Sequence, residues 1–151
     1  MYAVVRIRGT PGLSKKVLDT LKMLKLDAVN NCVLVPETPD FKGMLALVKD
    51  AVAWGEIDRG VLVEMLRKRL RLKGSKRLDE GMLKQLIGYT YEELADALLS
   101  GKVRLKDLKE LEPKFKLTPP SKGFKNVKEQ WPAGNLGYMQ KEINELLKRM
   151  I

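Results

Sequence analysis

The stretch Arg67-Lys68-Arg69-Leu70-Arg71-Leu72-Lys73-Gly74-Ser75-Lys76-Arg77 sets seven cations within eleven residues. Such charges repel one another, so folding alone gives no reason to collect them, whereas an external polyanion does. Loops of this kind bridge phosphates or enter grooves of RNA, with Gly74-Ser75 as the flexible element. A solvated charged face is the plainer alternative. A second candidate follows Arg8: Gly9-Thr10-Pro11-Gly12-Leu13-Ser14-Lys15-Lys16, a glycine-rich turn between a strand and a helix. Free amides at a helix start, together with two lysines, suit a phosphate. It is not a Walker A loop, because no glycine directly precedes the lysines and no Ser or Thr follows them. A tight turn with solvated lysines fits the same residues.

The third candidate is Phe115-Lys-Leu-Thr-Pro-Pro-Ser-Lys-Gly-Phe-Lys-Asn126. Its composition resembles a linker, yet Pro119-Pro120 restricts the backbone to extended conformations, which lowers the entropy lost on docking. Phe115 and Phe124 can anchor it on the domain or against unstacked bases. Lys114, Lys116, Lys122, Lys125 and Lys128 can then follow a phosphate backbone.

Other chemistries lack their residues. The 151-residue chain has no histidine and a single cysteine, Cys32. It therefore has no general base with an unperturbed pKa near neutrality and no Cys/His zinc site. No pair of carboxylates stands out for acid/base work, so no catalytic residue, metal or cofactor is expected. The lone cysteine fits a reducing compartment and reads as a small buried hydrophobe. The opening MYAVVRIRG leads into no apolar signal-peptide region, and no apolar run is long enough to span a bilayer. The net charge is +10 and unevenly placed. Residues 1–58 carry 8 basic and 7 acidic groups, whereas residues 59–80 carry 8 and 3, and residues 113–151 again 8 and 3. Two separate basic blocks point to a polyanion lying along one surface.

The elements that must position these cations are legible from periodicity. Tyr2–Arg8 alternates as a strand. Ser14 caps a helix carrying Val17, Leu18, Leu21 and Leu24. Cys32–Val35 reads as a second strand, Thr38-Pro39 opens a second helix, and Ala51–Ile57 contains a third strand that includes Trp54. The order β-α-β-α-β fills residues 1–58. Residues 59–151 read as a mostly helical extension with an extended basic arm. Val61, Leu62, Met65 and Leu66 form one helical face. Asp79 caps the next helix, Thr90 and Glu93 form a capping box, and Leu105, Leu108 and Leu111 mark a short helical piece. The last helix carries Ile143, Leu146, Leu147 and Met150, and Trp131-Pro132 can pin the arm.

Several of these residues resemble the large-subunit ribosomal protein L-thirty family. The features are the glycine turn with Lys15-Lys16, Thr20-Leu21 with Leu24 and Leu26, Asn30 with Val33, Thr38-Pro39, and Gly43-Met44. The lysine-rich KGSKR segment, FKLTPPSKGF and GNLGY resemble the longer archaeal and eukaryotic form of the family. The chain lacks the basic arm that eukaryotic members carry before the first strand, which points to an archaeal member.

The resemblance implies an α+β fold: a three-stranded antiparallel sheet with two helices on one face, distantly ferredoxin-like. It implies a non-catalytic protein of cytoplasmic ribosomes. The partners would be large-subunit (23S) ribosomal RNA and neighbouring proteins of the 50S subunit. The residues alone leave three alternatives open. One is a small acylphosphatase-like enzyme using Gly9–Lys16, although such a site would want an arginine inside the loop. The others are a non-ribosomal RNA-binding module and a module whose last helix docks on a partner protein.

Overall fold

The computed structural model describes all 151 residues. Three strands, β1 (Tyr2–Arg6), β2 (Asn31–Val35) and β3 (Val52–Glu56), form the centre of the sheet, with β1 antiparallel to both neighbours. Two helices, α1 (Lys15–Met23) and α2 (Pro39–Val48), connect them. Both begin at the expected caps: the Ser14 hydroxyl accepts from the Val17 amide, and the Thr38 hydroxyl from the Phe41 amide. Each satisfies one of the donors that a helix start leaves unpaired.

After β3 come α3 (Arg59–Arg69), a hairpin of β4 (Arg71–Leu72) and β5 (Lys76–Arg77), α4 (Glu80–Ile87) and α5 (Tyr91–Leu99). The Asp79 cap and the Thr90–Glu93 capping box are both formed. Leu105–Asp107 makes a single 3-10 turn, and Leu111 then bridges to Leu72. The chain continues through β6 (Lys114–Lys116) and β7 (Gly137–Tyr138) to the last helix, α6 (Ile143–Met150).

The extension completes the sheet as well as covering it. The strand order is β6-β2-β1-β3-β7, so the three expected strands are flanked by two edge strands from the second half of the chain. Their partner residues show why. Every residue of β1 is buried. Tyr2 and Val4 face a cluster with Leu21, Leu45 and Val48 of α1 and α2, while Ala3 and Val5 face a second cluster built from the extension. A strand apolar on both faces needs cover on both. Leu62, Met65 and Leu66 of α3, Leu94 and Leu98 of α5, Phe115, and Ile143, Leu146 and Leu147 of α6 supply the second layer. Cys32 lies fully buried in it, and burial pushes its thiol up to about 12, so it remains an uncharged hydrophobe. Trp54 is half-buried against the first cluster and stacks on Tyr138.

Two residues show how closely the layers meet. Asn144 lies at the start of α6, where its amide donates to the carbonyls of Glu56 and Lys141 and its oxygen accepts from the Asp58 amide. It thereby stitches α6 to the β3–α3 junction. Gly55 of β3 faces the 3-10 turn at Gln140–Glu142; a Cβ there would overlap the Gln140 carbonyl oxygen and sit 2.8 Å from an Ile143 methyl carbon. Gly55→Ala must therefore push α6 away from the sheet. It should cost about 1–3 kcal/mol, measured by urea denaturation. Stability equal to the parent protein would show that this contact is loose.

Candidate nucleic-acid interface

The strand pairing defines which groups share an end of the molecule. Arg6 pairs with Val52, Asn31 with Lys116, and Ala53 with Gly137. The end of β1, the starts of β2, β3 and β7, and the end of β6 therefore lie together. Helix α3 leaves the far end of β3 and returns to this one, where Arg69 donates to the Lys116 carbonyl and the Thr118 hydroxyl. Helix α6 makes the same journey: it starts beside Glu56 and Asp58, and its Met150 carbonyl accepts from the Thr118 amide. Both helices carry cations in their last turns, Arg67, Lys68 and Arg69 in one and Lys148 and Arg149 in the other. Cations suit the negative end of a helix dipole, and two such ends side by side concentrate them.

The seven-cation stretch is more ordered than a loop. Its first three members finish α3, and the rest form the β4–β5 hairpin. Lys73 donates its amide to the Glu110 carbonyl, and the Glu112 amide donates to the Arg71 carbonyl, so the hairpin is laced to the segment leading into β6. The Lys116 ammonium donates to the Ser75 hydroxyl at its tip, 2.7 Å away. Within the hairpin Arg71 lies directly opposite Arg77. Like charges opposed across a strand pair are destabilising, and a two-stranded ribbon has little stability to spare. An anion between them would turn that repulsion into attraction.

Some of the expected contacts already have acidic partners. Lys68 pairs with Glu64 at 2.9 Å, Lys114 with Asp27 at 3.2 Å and Lys116 with Glu112 at 4.0 Å. Arg8 donates to the Asp50 carbonyl, and Arg71 to that of Leu70. Lys125 donates to the Pro132 carbonyl and lies over the Trp131 ring. The side chains of Lys15, Lys16, Arg67, Lys73, Lys76, Arg77, Lys122 and Lys128 are exposed and have no carboxylate within 4.0 Å. Of these, Lys15 and Lys16 stand apart on the first turn of α1.

The arm is ordered against protein. Phe115 is fully buried in β6, so its ring is closed to a base, while Phe124 is half-buried with its ring packed against the main core. Three residues outside the sequence-derived set organise the region. Arg6 is buried beneath the glycine turn, where its guanidinium donates to the carbonyls of Arg8 and Leu26 and to the Thr10 hydroxyl. Burial lowers its pKa and Asp27 partly restores it. The period-two pattern could have revealed Arg6, since it shares a face with the buried Tyr2 and Val4. Asn135 is buried and accepts from the amides of Lys125 and Asn126. Arg149 donates to the carbonyls of Ser121 and Gly123.

The opposite end mixes acids with cations. There the Met1 ammonium pairs with Glu37, the Tyr138 hydroxyl donates to Glu56, and Asp58 begins α3. The Glu56 carboxylate raises the pKa of the Tyr138 phenol well above the ordinary tyrosine value. The unpaired cations of the hairpin and the arm thus gather at the other end of the strands, an arrangement that orients an approaching polyanion. A concavity of about 380 Å³ adjoins the Met1–Glu37 pair, between the end of α1 and α5, with Met23, Leu24, Phe41, Leu98 and Leu99 among its lining. No cluster of three potential metal ligands occurs.

The comparisons agree with this architecture. The family model described as Ribosomal protein L30p/L7e matches residues 2–52, which run from β1 into β3. The large ribosomal subunit protein uL30 of Archaeoglobus fulgidus is 50% identical over 151 residues, covering 99% of both chains. Its namesakes from Methanocorpusculum labreanum and Methanococcus maripaludis are 46% and 44% identical, each again covering 99% of both chains. With identity at this level over 99% of its length, the chain belongs to the uL30 family of large ribosomal subunit proteins.

Proposed function

We propose that the chain is a structural, non-catalytic constituent of the large ribosomal subunit and holds the subunit's RNA with its basic end. The observation that carries this reading is the convergence of two cationic helix ends, the β4–β5 hairpin and the basic arm at one end of the sheet. Eight exposed cations there and on α1 have no carboxylate partner, and the hairpin opposes two arginines that an anion would reconcile. Phosphate contacts supply position and affinity, so sequence reading by base contacts is not required of this surface.

The competing readings lose their support. Family membership replaces the acylphosphatase-like reading, and the nearest buried guanidinium, Arg6, is committed to protein carbonyls. The last helix is covered by its own domain, with Ile143, Leu146, Leu147 and Met150 all buried, so it offers no apolar face to a partner.

Sedimentation of a lysate from cells expressing the chain tests the proposal. The protein should migrate with large subunits and be partly stripped by high salt, because RNA binding releases counterions. Detection only in the slow, soluble fractions would overturn it.

A further inference from the structure

The arm and the C-terminus of α6 complete each other's hydrogen bonding. A helix leaves its last four carbonyls without partners inside the helix. In α6 the Leu147 carbonyl takes the Ile151 amide, the Arg149 carbonyl takes the Ser121 amide at 3.1 Å, and the Met150 carbonyl takes the Thr118 amide at 3.1 Å and hydroxyl at 2.8 Å. Between Thr118 and Ser121 lie Pro119 and Pro120, which have no amide hydrogen. The Thr-Pro-Pro-Ser segment therefore carries donors only at its two ends, and both are spent on the helix. In return the Arg149 guanidinium donates to the carbonyls of Ser121, at 3.2 Å, and Gly123, at 2.9 Å. Those two residues flank Lys122, whose φ of 65° is disfavoured for a residue with a side chain. Lys122 itself is exposed and unpaired.

We infer that Arg149 is a positioning residue, which with the last carbonyls of α6 holds Thr118–Gly123 in shape so that Lys122 meets an RNA phosphate from a preformed turn. The inference rests on the RNA-binding reading and adds to it the part of the fold that orders the arm before RNA arrives. Preorganisation of this kind raises affinity by removing the ordering cost from the binding step. It also makes the arginine's reach specific: both bonds come from its terminal Nη1, and lysine keeps the charge but is one bond shorter, so its ammonium falls short of the two carbonyls.

Equilibrium binding of the purified full-length chain to large-subunit RNA decides the matter. R149K should bind roughly threefold more weakly, no more than the loss of the Lys122 contact itself, although the net charge is unchanged. K122A should also weaken binding, and in the double variant the two losses should fall short of their sum, since both act through the same contact. R149K binding like the parent protein, or fully additive losses, would overturn the assignment. Should R149K fail to fold, amide hydrogen exchange of the parent protein without RNA provides the second reading. The Thr118 and Ser121 amides should be protected; exchange at the rate of an unstructured chain would refute the preformed turn. A parent protein that binds no RNA would overturn the ribosomal reading and the role of Lys122, while the exchange result would still judge the clamp.

Discussion

Replacing Lys73, Lys76, Arg77 and Lys122 together with alanine should weaken binding to large-subunit RNA by roughly 100- to 1,000-fold near physiological salt. The estimate follows from counterion release. Each phosphate contact contributes about 0.7–0.9 to the slope of log affinity against log salt, so four lost contacts should flatten the slope by about 3. All four side chains are exposed and none has an acid within 4.0 Å, so their removal takes no ion pair from the fold. Relief of the Arg71–Arg77 opposition should, if anything, steady the hairpin. Arg69, by contrast, also holds Lys116 and Thr118, so a variant there mixes a charge effect with a structural one. A salt titration of RNA binding, with thermal unfolding as the control, checks this. An unchanged slope would remove these residues from the interface.

Phe115→Ala should have the largest effect on stability, about 3–5 kcal/mol. Its ring is fully buried in the main cluster, and it sits opposite Cys32 in the pairing that attaches β6 to the sheet. Against a total of about 5–15 kcal/mol for a typical domain, that loss removes from about a fifth to all of the stability margin. The effect should reach the interface as well. Lys114 and Lys116 flank Phe115, and Lys116 is the residue that Arg69 and Ser75 both contact. Urea denaturation should show the lost stability, and RNA binding should fall although no cation has been removed. A variant within about 1 kcal/mol of the parent would mean that the core collapses around the missing ring.

Local elements were legible in the sequence because their signals are local. Ser14, Thr38, Asp79 and Thr90 cap helices through bonds that span three residues, and each cap is made where its residue type and spacing place it. The apolar stripes of α3, α5 and α6 are buried for the same reason. The candidate site was legible as composition, in the two basic blocks and in the motifs shared with the family. Its shape was not legible. Arg67–Arg77 reads as a loop, but becomes a helix end and a hairpin because residues 110–112, far along the chain, pair with it. Phe124 reads as a base-stacking candidate, yet the core lies close enough to take its ring.

By itself, then, the sequence determined the order of the helices and the first three strands, the excess of cations, the absence of a catalytic set and the family. Tertiary structure alone decided three further things. The sheet gains β6 and β7 at its edges, because β1 is apolar on both faces and draws the extension onto the second. The two cationic helix ends meet at one end of the sheet because α3 and α6 both start beside the far end of β3 and both finish against Thr118. Arg149 reaches the arm because Thr118 and Ser121 find their acceptors on α6. Each depends on groups that are distant in sequence and adjacent only once the layers have packed, so no local pattern can encode it.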